Sequence, residues 1–144
     1  MTDTIDKFDG RYGFLSNFYP AEITYGHLTG PTLEHVYQAC KAKFSPTART
    51  ILDCKTAAQA KRKGRNVVLR DDWTEETRIR VMLDLLRLKF AIPDLRRQLL
   101  ATNNLWIVEG NTWNDTFWGM CRGKGKNHLG VLLMMVRNEI RAAS

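Results

Sequence analysis

The sequence predicts an α+β domain, mainly helical with a few short strands, and three observations carry the prediction. Ile79, Met82, Leu83, Leu86 and Phe90 recur at spacings of three and four, an apolar stripe of helical period. Thr32 and Thr56 stand where helix N-caps belong, with Pro31 before the first and Gly64 as a stop after the second. The strand-like runs, "AEITY" and "LWIVEG", are few and short. A chain of 144 residues suffices for one domain with a real core and is short for two, so 1–144 reads as one compact domain.

Element by element, "RYGFLSNFY" (11–19) is aromatic-rich and broken by Gly13 and Asn17, which suggests an extended segment or strand with a turn. "AEITY" (21–25) is a short strand, and "GHLTGPT" is the turn region after it. A helix follows from the Thr32 cap to about Phe44, a second begins at Pro46, and "TAAQAKRKGR" makes a third. The longest helix covers about 74–90, and Pro93 restarts a helix through Leu100. Residues 105–110 form a strand, and a glycine-rich loop, 119–125, precedes a last helix over about 127–142.

Composition narrows the classes. Hydrophobic residues make up 44% and charged residues 26%, ordinary for a globular chain. No apolar run reaches membrane-spanning length, and "MTDTIDKFDG" lacks the pattern of a secretory signal, so a cytoplasmic location without membrane attachment is expected. Cys40, Cys54 and Cys121 are scattered and odd in number, which argues for reduced thiols. Three dispersed histidines and no Cys/His cluster give no expectation of a metal, and no cofactor is expected. The net charge of +7 is uneven: −1 over 1–48, +6 over 49–97 and +2 over 98–144. A basic middle third suits phosphates or nucleic acid, or simply solvated helix faces.

Two stretches carry chemistry. In "PTLEHVYQACKAKF" (31–44), Glu34, Gln38 and Lys41 share one helix face, and Val36, Ala39 and Cys40 share the other. Glu34 and Lys41 are separated by about 10 Å of helix rise, so they flank a site rather than clasp each other. In "NTWNDTFWGMCRGKGKNHLG" (111–130), Asp115 lies between two tryptophans, ahead of Gly119, Gly123 and Gly125 with Arg122, Lys124 and Lys126. Glycines and a following helix start admit an anion, although the spacing is neither that of a Walker loop nor G-x-G-x-x-G. Trp73, before the longest helix, suits either a core anchor or a stacking surface.

Taken in order, "GFLSNFYP", "EHVYQACK", "KFAIPDLRRQLLAT", "NDTFWG" and "GKGKNHLGVLLMMVR" resemble the NADAR/YbiA-like family over roughly Phe8 to Arg137. The resemblance implies a compact, mainly helical α+β fold and an enzyme that cleaves N-glycosidic bonds of ribose. It implies as substrate either a phosphorylated ribosylamino-pyrimidine of riboflavin synthesis or ADP-ribose attached to guanine, including ADP-ribosylated DNA. The family's functional glutamate, tryptophan and aspartate fall on Glu34, Trp73 and Asp115, and its Schiff-base lysine falls on Lys41. The family pattern often has serine before its "EH" and Asp-Gly or Gly-Gly after "WG"; here Leu33 and Met120-Cys121 stand there.

On that resemblance, Glu34 and Asp115 are the carboxylates that stabilise positive charge at the anomeric carbon or act as acid and base. A neutral Lys41 amine attacks that carbon, with Arg122, Lys124 and Lys126 offsetting the carboxylates that would keep it protonated. Phe18 and Trp73 offer stacking surfaces, Asn17 and Gln38 offer hydrogen bonds to sugar or base, and Trp118 and Gly119 are further substrate-binding candidates. Arg122, Lys124, Lys126 and Asn127 are the candidates for the phosphate. The partner is thus a small ribosyl or ADP-ribosyl substrate. A non-catalytic NAD or ADP-ribose binder and a nucleic-acid-binding protein built on 49–97 are the competing readings.

Overall fold

A computed structural model describes residues 3–144. In chain order it contains strand β1 (Thr4–Ile5), a 3-10 turn (Gly10–Leu15), strands β2 (Pro20–Tyr25) and β3 (Leu28–Thr32), and helices α1 (Leu33–Cys40), α2 (Ser45–Leu52) and α3 (Ala57–Gly64). Helices α4 (Glu75–Lys89) and α5 (Pro93–Leu100), strands β4 (Trp106–Ile107), β5 (Gly110–Asn111) and β6 (Met120–Cys121), and helix α6 (His128–Ala143) complete the α+β chain. It divides into two compact units: Asn17–Lys89, and the residues up to Ser16 together with Phe90–Ser144.

The unit Asn17–Lys89 packs its helices around α1. Strands β2 and β3 form an antiparallel hairpin with Tyr25 opposite Leu28. Its two-residue loop, Gly26-His27, needs the positive φ of 63° that Gly26 adopts. The expected turn at 26–32 is therefore mostly a strand. Gly30 permits this, because a Cβ there would press on His35 and Val36 at 3.0 Å, so the hairpin lies tightly on α1. Thr32 caps α1 through His35 N, and Thr56 and Gln59 close a full capping box on α3, as their spacing predicts.

Helix α1 stops at Cys40 rather than near Phe44. The chain turns there so that residues 41–43 pair with 68–70: Lys43 N donates to Val68 O and Arg70 N to Lys41 O, each at 2.9 Å. On α4 the buried stripe is Thr77, Val81, Met82, Leu85, Leu86 and Lys89. It shares Met82 and Leu86 with the expected stripe, while Ile79 and Leu83 are only half-buried.

The other unit has its own core of Ile5, Phe14, Leu15, Phe90, Leu95, Leu99, Ile107 and the inner face of α6. The expected extended segment at 11–19 is instead a 3-10 turn followed by bends. Its turn is closed by Tyr12 N donating to Asp9 O at 2.9 Å and Ser16 N to Gly13 O at 3.0 Å, and Phe14 and Leu15 are buried consecutively. The expected strand 105–110 splits. Ile107 pairs with Ile5 in parallel, whereas Gly110 pairs with Met120. Arg137 is buried and spends its Nη1 on Thr102 Oγ1 and Leu105 O, both at 2.9 Å.

Candidate functional site

Both faces of α1 are buried: all eight residues, Leu33 to Cys40, lie below the surface. The polar face is therefore not solvated. His35 is a structural lock, with Nδ1 at 2.8 Å from Thr32 Oγ1 and Nε2 at 2.9 Å from Cys54 O. Glu34 is 6% exposed, and its backbone N–H donates to Asn17 O at 3.1 Å. Gln38 Nε2 donates to Glu34 Oε2 at 2.6 Å. Burial raises the proton affinity of the Glu34 carboxyl, against the opposing pull of the Gln38 hydrogen bond, Lys61, Lys41 and His35.

Two buried oxygens beside this pair have no hydrogen-bond partner among the described residues, Gln38 Oε1 and Asn17 Oδ1. Gln38 Oε1 sits against Gly64, where any Cβ would collide with it. Asn17 Nδ2 is directed at Met82 Sδ, 3.6 Å away.

Lys41 occupies the C-cap position of α1. Its amine makes no hydrogen bond or ion pair among the described residues and is half-buried. Burial lowers its proton affinity; Glu34 opposes this, while Arg78, Lys61 and Arg65 reinforce it. The sequence nominated Arg122, Lys124 and Lys126 for that effect. The cations that exert it belong instead to α3, its C-cap and α4. Lys61 also lies 5.8 Å from the centroid of the Phe18 ring, which is 40% exposed. Trp73 is half-buried, with its ring 5.7 Å from that of Tyr37 and the Arg70 guanidinium 5.9 Å from its centroid. Asn17, Phe18, Glu34, Gln38, Lys41 and Trp73 thus all belong to Asn17–Lys89, and Lys61, Arg65 and Arg78 join them unannounced. Charge composition marked 49–97 as basic, but only tertiary packing selects these three.

The remaining candidates belong to the other unit. Asp115 Oδ1 accepts the N–H groups of Phe117 at 3.1 Å and Trp118 at 2.9 Å. Asn111 braces the same turn, accepting from Asp115 N at 3.0 Å and donating to Asp115 O at 2.9 Å. Asn111 Nδ2 also reaches Glu109 Oε2 at 3.0 Å, a carboxylate the sequence reading missed. Gly119 is buried against Glu109, whose carboxylate and carbonyl would meet any Cβ. Trp118 and Phe117 form an aromatic cluster with His128.

Asn127 is buried in a left-handed conformation, φ 54°, with its amide spent on Glu109 N and Ile107 O at 3.0 Å each. The backbone N–H groups of residues 126–129 are spent as well. Lys126 N donates to Thr116 O, Asn127 N to Gly119 O, His128 N to Phe117 O and Leu129 N to Trp118 O, at 2.8–3.2 Å. The start of α6, which the sequence offered to an anion, therefore has the N–H groups of His128 and Leu129 occupied by its own chain. Arg122, Lys124 and Lys126 are exposed around a tight turn in which Arg122 and Gly123 both have positive φ.

Two depressions bear on these residues. One of about 680 Å³, in Asn17–Lys89, is lined by Tyr25, His27, Cys40, Arg49 and Arg70 but by none of Glu34, Gln38 or Lys41. The other, of about 330 Å³, lies in the second unit and includes Asp6, Asn111, Met120 and Arg122. Among the described residues no group of three or more His, Cys, Asp or Glu side chains is arranged to hold a metal, and no helix is long and apolar enough to cross a membrane.

Comparison with known proteins places this geometry among relatives. The NADAR domain model matches residues 5–141. N-glycosidase YbiA of Escherichia coli is 40% identical over 97% of this chain and 91% of its own. A riboflavin biosynthesis protein of Vibrio vulnificus is 40% identical over 92% of this chain, and the chloroplastic riboflavin biosynthesis protein PYRR of Zea mays is 38% identical over 90%. The chain spans only 37% and 23% of the lengths of those two larger proteins. The NMR structure of E. coli YbiA superposes with a TM-score of 0.84 at 38% identity, covering 99% of this chain and 88% of that one.

Proposed function

The chain belongs to the NADAR domain family, and we propose that it is an N-glycosidase that cleaves the C–N bond between a ribose and its nitrogen partner. One observation carries the reading: a buried carboxyl held toward its protonated form, Glu34, shares a helix with an unpartnered amine held toward its neutral form, Lys41. Two titratable groups pushed to opposite protonation states are what acid and nucleophile require.

In the proposed reaction the Glu34 carboxyl gives its proton to the departing nitrogen, which leaves with the electron pair of the C–N bond. Lys41 Nζ forms a bond to the anomeric carbon and loses a proton. The ring oxygen then leaves that carbon, takes up a proton, and the sugar is held as an imine. Water adds to the imine, the sugar is released, and the amine is restored. Trp73 and Phe18 supply flat surfaces for the base, at about 1–3 kcal/mol per stacked base. The substrate is a phosphorylated ribosylamino-pyrimidine or an ADP-ribosyl group on guanine; the names of the Vibrio and maize relatives favour the first.

The deciding assay is base release, followed by mass spectrometry, from ribosylamino-pyrimidine phosphate, NAD, ADP-ribose and DNA bearing ADP-ribosylated guanine. Release from one of the glycosides supports the reading. A folded protein that binds ADP-ribose or NAD and turns over none of them would instead be a binding domain.

A further inference from the structure

The Asn17–Lys89 unit contains a convergence of charge that the reaction above does not use. Helix α3 lies close on α1, because Gly64 leaves room only for the Gln38 amide. Lys61 is one turn before that glycine, and Arg65 follows at i+4, on the same side of the helix. Lys61 reaches over Phe18, the neighbour of Asn17. Arg78, on α4, stands one turn before Met82, the side chain to which Asn17 Nδ2 points. These elements thus bring three cations around Lys41, of which Lys61 also acts on Glu34, beside two buried amide oxygens that have no donor among the described residues. Hydroxyl groups are donors that suit such oxygens, and a phosphate suits an Arg/Lys cluster.

We infer that the substrate's phosphate is seated by Lys61, Arg65 and Arg78 rather than by Arg122, Lys124 and Lys126, with ribose hydroxyls donating to Gln38 Oε1 and Asn17 Oδ1. The inference rests on the N-glycosidase reading. It fits the backbone of 126–129, whose N–H groups are already committed to 116–119 and cannot cradle an anion. Occupation of the seat offsets the cations that act on Lys41, while the closing-in of substrate deepens the burial that is the larger cause of its lowered proton affinity.

The probes are ribose 5-phosphate and ribose, titrated calorimetrically into the whole chain. Ribose 5-phosphate is expected to bind at least about tenfold more tightly than ribose, as charge-assisted bonds to a phosphate warrant. The Lys61→Gln/Arg65→Gln variant should lose most of that preference, and the Arg122→Gln/Lys124→Gln/Lys126→Gln variant should keep it within about twofold. Arg65→Gln alone, at an exposed position, gives a smaller loss in the same direction should the double variant fold poorly. Preference lost in the triple variant and kept in the double or single one overturns the seat, as does the absence of any preference in the unmodified chain. Base release is scored separately. Ribose 5-phosphate bound through Lys61 and Arg65 without turnover of any glycoside would remove the glycosidase reading and leave the seat standing.

Discussion

Gln38 Nε2 donates to Glu34 Oε2 across 2.6 Å, one turn apart on a helix with no exposed residue. A helix so enclosed needs each polar group answered. Glu34 is answered by Gln38, His35 by Thr32 and Cys54, and the oxygen of Gln38 is left over. Local patterning cannot produce this leftover; it arises only when Gly64 packs on the Gln38 amide.

Replacing Glu34 with Gln separates function from stability. Base release should fall by about 10²–10⁴-fold, the usual worth of a positioned acid. The native carboxyl binds its proton more tightly than in the unfolded chain, so stability falls as pH rises from the unfolded value through the raised native one. Glu34→Gln lacks that loss. It should melt higher than the native chain at neutral pH and similarly near pH 4, as thermal scans would show.

Lys41 predicts a pH limb. Its proton affinity is lowered, so activity should rise with pH well below the ordinary lysine range. Arg78→Gln removes one of the lowering charges and should move the limb of kcat/KM to higher pH. A limb that stays put or moves down would show that Arg78 does not act on the reactive amine. Borohydride reduction during turnover should add the mass of a reduced sugar to Lys41, and Lys41→Met should abolish the adduct.

Two glycines should differ in what they spoil. At Gly64 a methyl group meets the mobile end of Gln38, so Gly64→Ala should push that amide off Glu34 and depress kcat with little loss of melting temperature. At Gly119 the methyl meets a backbone carbonyl as well as the Glu109 carboxylate. Gly119→Ala should therefore cost about 1–3 kcal/mol in urea unfolding, the range for overpacking.

Lys89 is fully buried, and burial pushes its amine down to about 7. Between pH 7 and about 10 the unfolded chain holds a proton that the native one has released. Stability should climb through that window, by up to about 1.4 kcal/mol per pH unit, and level off below it. Lys89→Met should flatten the climb in urea titrations at stepped pH.

Much of this was legible in the sequence where the determinants are local. Thr32 and Thr56 announced two helix starts, and Pro93 announced a third. The stretches misread were those whose state is decided at a distance. Leu28–Thr32 looks like a turn by composition and becomes a strand because Gly30 lets the hairpin settle on α1. Glu34 and Lys41 were recognisable by motif, but Lys61, Arg65 and Arg78 lie 20 to 37 residues from Lys41, counted along the chain, and share no pattern with it. Only the packing of α3 and α4 against α1 assembles them.

Four peptide hydrogen bonds fasten residues 116–119 to 126–129, with Gly119 and Gly125 as close-approach points, and the His128 ring adds contacts to Phe117 and Trp118. Such a fastening does not read the identity of the other side chains it carries. Thr116 and Lys124, both exposed, can therefore change while the frame stays as it is, whereas Arg122 and Gly123 hold positive φ. The segment can thus change its exposed surface without renegotiating how the chain folds, and Met120-Cys121 sits inside it.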